Sequence, residues 1–167
     1  MRLALYQPDI PQNTGTMLRL AACLDVGVDV IGPTGFDMTD RALRRAGMDY
    51  LASVDLVRHL SFERYLEAGR SGRLVLLTTV ARSSLADFQF RKDDTLLLGR
   101  ESSGVPDVVH AAADARVRIP MVEGMRSLNI AVAAAITLSE ALRQTGGWLT
   151  LDEKRAAAAG CDTPAAG

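Results

Sequence analysis

Cysteine and histidine are scarce in this chain of 167 residues, which holds Cys23 and Cys161, His59 and His110. Two cysteines, one within a helical pattern and one near the end, make no disulfide framework, so a reducing compartment is expected. Neither histidine has a partner at metal-ligand spacing and there is no Cys/His cluster, so no metal site is expected. Outside an alanine-rich helix ending in Glu140 and Arg143 there is no uncharged apolar run of about 18 residues, hence no expected membrane span. The apolar start before Gln7 and Pro8 is too short for a secretory signal, and a cytoplasmic location is expected. Net charge is -1, so no global positive field announces nucleic acid, although a local patch can still hold phosphate. Familiar nucleotide signatures are missing too. The turn after the first strand reads QPDIPQNTG rather than GxGxxG, and Gly99–Gly104 is followed by Val105 instead of Lys-Ser/Thr. No GxSxG elbow occurs.

What is present is enough apolar content (48%, against 23% charged) for one ordinary α/β domain. Apolar runs of strand length fall at Arg2–Tyr6, Val26–Gly32, Val54–Leu60, Arg73–Thr79, Thr95–Gly99 and Ala115–Ile119. Between them lie helical patterns: one opening at Asn13-Thr14-Gly15 and running through Leu24, and a short one over Thr39–Ala46. Ser61 caps another over FERYLEAG, and a further one starts at Pro106. A long apolar helix runs to Gln144. Strands alternating with helices at this spacing predict a parallel sheet flanked by helices. No repeat or internal linker interrupts it. From Gly147 the chain turns polar and alanine-rich, which reads as a disordered tail, so the domain is expected to span residues 1–147 and the tail 148–167.

Three polar loops follow strands. In Pro11–Gly15, Asn13 suits a helix N-cap, and Arg19 further on is either a surface arginine or a guanidinium able to reach a phosphate or reacting hydroxyl. In Gly99–Gly104, glycine lets backbone approach a ligand, and Glu101 either bonds a ligand or pairs with Arg100 or caps the following helix. In Arg126–Asn129, Ser127 reads as the cap of the long helix, whose N-terminus also suits ligand oxygens. Arg41, Arg44 and Arg45 form either a solvated face or a contact for an RNA backbone. Loops of this kind at the carboxyl ends of parallel strands predict a ligand crevice.

Taken together, the loops resemble the SPOUT superfamily, in particular the SpoU-class RNA 2′-O-ribose methyltransferases. The resemblance lies in N-T-G-x-x-x-R from Asn13 to Arg19 and in L-G-x-E-x-x-G-V-P from Leu98 to Pro106. It continues in I-P-M-V from Ile119 and in R-S-L-N-I-A from Arg126 to Ala131. The opening YQPDIPQNTG and the block DRALRRAGMDY look most like the small single-domain branch that methylates the wobble nucleotide of tRNA. The match covers roughly residues 1–145.

That resemblance implies a parallel α/β fold with a C-terminal trefoil knot, S-adenosyl-L-methionine as cofactor, and a homodimer built through the C-terminal helix. Carried over, the cofactor would lie among Leu77, Thr78, Thr79, Gly99, Glu101, Ile119, Met121, Ser127 and Leu128. Arg19 would activate or position the ribose hydroxyl, with Ser127 and Asn129 supporting it. Asn13, Arg41, Arg44 and Arg45 would meet the tRNA anticodon stem-loop. Arg100 and Ser103 depart from the family pattern, where proline and arginine are more usual. They leave two rivals in view, an RNA- or cofactor-binding dimer without catalysis and a methyltransferase for another RNA position. A nucleotide-binding α/β domain of another kind is a third.

Overall fold

Continuous apolar runs, rather than alternating ones, are what strands buried on both faces require. In the computed structural model, which describes residues 1–39 and 53–160, such runs form one sheet. Its strands are β1 (Arg2–Tyr6), β2 (Gly27–Ile31), β3 (Leu56–His59), β4 (Leu74–Leu77), β5 (Ser83–Ser84), β6 (Thr95–Leu98) and β7 (Ala115–Arg118). The order is β3-β2-β1-β6-β4-β7-β5, and every pairing is parallel. Helices α1 (Pro11–Cys23), α2 (Phe62–Glu67), α3 (Asp107–Ala112), α4 (Ile130–Thr145) and α5 (Gly147–Gly160) complete the described residues.

Side chains alternate across the sheet with the two-residue period of a strand. Leu3 and Leu5 of β1 join Leu96, Leu98, Val28 and Val30 on the face covered by α1 and α4, against Met17, Leu18, Ala134 and Leu138. Ala4 and Tyr6 point the other way, to Leu76, Leu97, Phe62, Tyr65 and Val109 under α2 and α3. Small residues on α4, Ala131, Ala134 and Ala141, let that helix sit close to the sheet and to α1. Its C-terminus is closed by Gly146 at φ 74°, whose N–H bonds the Leu142 carbonyl, the left-handed cap that glycine adopts without a Cβ penalty.

Several local expectations are corrected. Helix α1 begins two residues before Asn13, at Pro11, whose fixed φ suits the first helical position. Its N-cap, Ile10, makes no side-chain bond, so Asn13 is not the cap. The cap of α4 is Asn129, not Ser127: its side chain accepts from the Ala131 and Val132 amides at 2.9 and 3.3 Å. Ser61 does cap α2, accepting from the Arg64 amide. The two-residue β5 has no sequence signal. The stretch read as tail continues as α5 to Gly160, since Ala, Leu, Glu, Lys and Arg are strong helix formers, and Lys154 pairs with Asp25 beside the end of α1. The predicted helix over Thr39–Ala46, with Arg41, Arg44 and Arg45, lies outside the described residues apart from its first residue, as do residues 161–167.

Candidate functional site

Register decides which loops meet. Leu5 is level with Leu98, Leu98 with Leu77, and Leu77 with Val117. Four strands therefore end at one edge, and the loops after β1, β6, β4 and β7 emerge side by side. Chain order reverses between β1 and β6, the place where parallel sheets open a crevice. A cleft of about 650 Å³ lies at this edge, within the size range of ligand pockets.

Every residue assigned to the cofactor from the sequence lines this cleft: Leu77, Thr78, Thr79, Gly99, Glu101, Ile119, Met121, Ser127 and Leu128. Asn13 and Asn129 line it too. Arg19 does not; it stands on the exposed side of α1. Arg41, Arg44 and Arg45 fall outside the described residues. Lining residues given no role from the sequence include Ile10, Val80 and His110, and Arg100 and Val105 from within the second motif join them. Ile10 and Val80 could have been found as residues just past the ends of β1 and β4, whereas His110 sits within α3, where nothing in the pattern marks it.

The three loops are joined by hydrogen bonds. Glu101 Oε1 accepts from Asn13 Nδ2 at 3.2 Å, and Oε2 accepts from the Asp9 amide at 3.1 Å. Asn13 Oδ1 in turn accepts from Asn129 Nδ2 at 3.0 Å. One amide side chain thus links the second loop to the third. It keeps a spare N–H and a spare lone pair for a ligand. Neither ordinary role weighed for Glu101 holds: it does not pair with Arg100, which instead faces Asp9 at 3.2 Å, and α3 has no side-chain cap. His59, for its part, bonds Asp29 at 2.8 Å.

The second loop is a tight hairpin. Arg100 and Gly104 exchange both backbone bonds, at 2.9 and 2.8 Å, and Gly104 has φ +69°. A Cβ on Gly99 would stand 2.9 Å from the Gly104 carbonyl carbon, so only glycine lets the two sides approach this closely. Charge is arranged unevenly here. The Glu101 carboxyl and then the Ser102 hydroxyl hold Asp9 down at about 2, while burial, and next Asp9, push Glu101 above the usual carboxylate range. Asp9 is therefore the member of the pair that stays ionised.

Fold and site define a parallel α/β protein that binds its ligand at the carboxyl edge of the sheet, in a cleft closed by three polar loops. Residues 1–139 match the SpoU rRNA Methylase family. The chain is 63% identical over 148 residues to a tRNA (cytidine(34)-2'-O)-methyltransferase of Beijerinckia indica, covering 86% of this chain and 91% of that protein. A solved chain whose subject is the 2-OH methylation of C/U34 on tRNA superposes with TM-score 0.79 at 44% identity, over 86% of this chain and 94% of that one. A SpoU methyltransferase from Streptomyces viridochromogenes, in complex with the cofactor AdoMet, gives TM-score 0.77 at 30% identity, over 86% of this chain and 60% of that one. The chain belongs to the SpoU methylase family.

Proposed function

We propose that this protein transfers a methyl group from S-adenosyl-L-methionine to the ribose 2′-hydroxyl of nucleotide 34, the wobble position of tRNA. The observation that carries the reading is the meeting of three motifs on one cleft, tied together through Glu101, Asn13 and Asn129. The nucleotide assignment comes from the relatives, whose printed activity is methylation at position 34. The lining fits the cofactor by its chemistry. Leu77, Ile119, Met121 and Leu128 offer apolar walls for a purine, and the hydroxyls of Thr78, Thr79 and Ser127 suit the ribose and amino-acid ends.

When bound, S-adenosyl-L-methionine supplies a sulfonium methyl that is already electrophilic. The chain's own work is to hold a ribose oxygen in line and ease loss of its proton. Arg19, exposed on α1 and outside the cofactor cleft, meets the tRNA ribose rather than the cofactor in this reading, where it orients the hydroxyl and offsets the charge growing on its oxygen. A guanidinium stays protonated under ordinary conditions, which favours this role over proton abstraction. Ser127 and Asn129 support the geometry from the head of α4. Asn13, with Arg41, Arg44 and Arg45, meets the anticodon stem-loop.

The working unit in this reading is residues 1–147, in the cytoplasm, as a homodimer through α4. Val132 and Ile136, one turn apart on that helix, are 47% and 39% exposed, an unusual choice for a solvated face. A trefoil knot belongs to the same reading. Its support is the sheet order, in which β7, the last strand made, lies between β4 and β5 instead of at an edge. No described helix is long and apolar enough to cross a membrane.

Purified protein incubated with methyl-labelled cofactor and undermodified tRNA tests the assignment, with mass spectrometry of the digested RNA locating the label. Label on ribose 34 is expected, and label on another nucleotide would reassign the target. No incorporation would favour a binding dimer without catalysis. Thermal stabilisation by ATP, with none by S-adenosylhomocysteine, would favour another nucleotide-binding class. Arg19→Ala should lower transfer on the order of a hundredfold, the scale of losing one transition-state donor, while affinity for S-adenosylhomocysteine stays within about threefold.

A further inference from the structure

Between the prolines of the first loop sits Asp9, a residue to which no motif gives a role and that does not line the cleft. It is nevertheless where three loops join. Its amide donates to Glu101 Oε2 at 3.1 Å. Its carboxylate accepts from the Ser102 hydroxyl and faces the Arg100 guanidinium at 3.2 Å. Three successive residues of the 99–104 hairpin, Arg100, Glu101 and Ser102, are thus gripped by one. Gly35 also packs against it. The Gly35 amide bonds the Pro8 carbonyl at 2.9 Å, and a Cβ at Gly35 would lie 2.9 Å from the Asp9 Cα.

Close contacts of this kind transmit position. The hairpin's own frame is only the paired backbone bonds of Arg100 and Gly104, and it projects from the end of β6 with Ser102, Ser103 and Gly104 exposed. Left alone, such a tip opens at low free-energy cost, because few buried contacts hold it. The ionised Asp9 carboxylate adds one charge-assisted hydrogen bond, from the Ser102 hydroxyl, which is stronger than a neutral one, and an ion pair with Arg100 that is close in distance but lacks hydrogen-bond alignment. The partner they fix in place, Glu101, is the residue that links the hairpin to Asn13 and onward to Asn129.

We propose that Asp9 is a positioning residue for methyl transfer: by clamping the 99–104 hairpin against the first loop it holds Glu101 at the cleft. The proposal rests on the activity proposed above and adds a residue to that machinery. The first test compares wild type, Asp9→Asn and Asp9→Glu in steady-state transfer to tRNA, alongside amide hydrogen exchange at Arg100 and Gly104. Asp9→Asn should lower kcat about tenfold or more, the scale expected for a small misplacement of a reacting group. The KM for tRNA should stay within about threefold. Exchange of the two hairpin amides should quicken about tenfold in the same variant. Asp9→Glu, which keeps the charge, should recover most of the rate.

A second variant reaches Asp9 from outside the cleft: Gly35→Ala, whose methyl would crowd the Asp9 backbone, should reproduce both effects in part. A kcat for Asp9→Asn within about twofold of wild type, or hairpin amides exchanging at the wild-type rate, would overturn the proposal. Wild-type protein that transfers no methyl to tRNA would instead refute the activity, and the exchange rates would still decide whether Asp9 clamps the hairpin.

Discussion

At the scale of single residues, Asn129 has two jobs that substitution can separate. Its Oδ1 caps α4, and its Nδ2 bonds Asn13. Asn129→Ala should cost about 1 kcal/mol for the lost cap, read as a fall in melting temperature of a few degrees for a chain of this size. Asn129→Asp keeps an excellent cap acceptor and loses the donor to Asn13. It should therefore retain wild-type stability within about 0.5 kcal/mol while transferring methyl more slowly. Asp9 makes a prediction about pH. Its carboxyl is held at about 2, below the ordinary 3.8, so its contribution to stability is complete above the ordinary value and lost as pH falls through the depressed one. Chemical denaturation of wild type and Asp9→Asn should show a gap that is constant at neutral pH and closes between 3.8 and about 2. A gap that widened in that window would contradict the assignment of charge to Asp9.

Elements were unevenly legible. Buried parallel strands announce themselves as unbroken apolar runs, so β1, β2, β4, β6 and β7 stand close to where composition puts them. Strand β5 has two serines and exists only because β7 lies beside it. The caps lie three residues before the expected one at α1, Ile10 for Asn13, and two residues after it at α4, Asn129 for Ser127. Proline at position 11 can start a helix without a capping side chain, and Ser127 and Asn129 are equally good caps until the loop's path chooses between them. Alanine suits both a helix and an unstructured tail, so nothing in the composition after Gly147 marks α5 as a helix. Helix α4 carries the prediction that belongs at this scale. Ile136 is 39% exposed on a helix whose other side is core, and Ile136→Glu should leave that core intact while opposing self-association. Light scattering should then move from twice the 17.9 kDa chain mass toward a single chain. A wild-type protein already at a single chain mass would remove α4 as an interface.

At the scale of the whole molecule, the site was readable as three motifs, but not as a cleft. Asn13, Glu101 and Asn129 are far apart in the chain, and only strand order brings them together. That order depends on non-local pairing, which no local pattern encodes. Hence the polar links among the loops, and Asp9 with them, became visible only in three dimensions. The family match stops at residue 139, before α5 begins. Protein ending at Gly147 should keep transfer within about twofold of the full chain and melt a few degrees lower through loss of the α5 packing and of the Lys154–Asp25 pair. A loss of transfer without a loss of fold would give α5 a role in catalysis or RNA binding.

The interior place of β7 has a consequence for synthesis. Part of the ligand crevice is lined by Val117, Ile119 and Met121, and a further part by the head of α4, all of it encoded after β6 and the hairpin that follows it. A nascent chain that has released only the first hundred or so residues from the ribosome displays the hairpin and Asp9 but half a pocket. Cellular methyl donor can therefore stabilise this protein only once the chain has emerged through the head of α4.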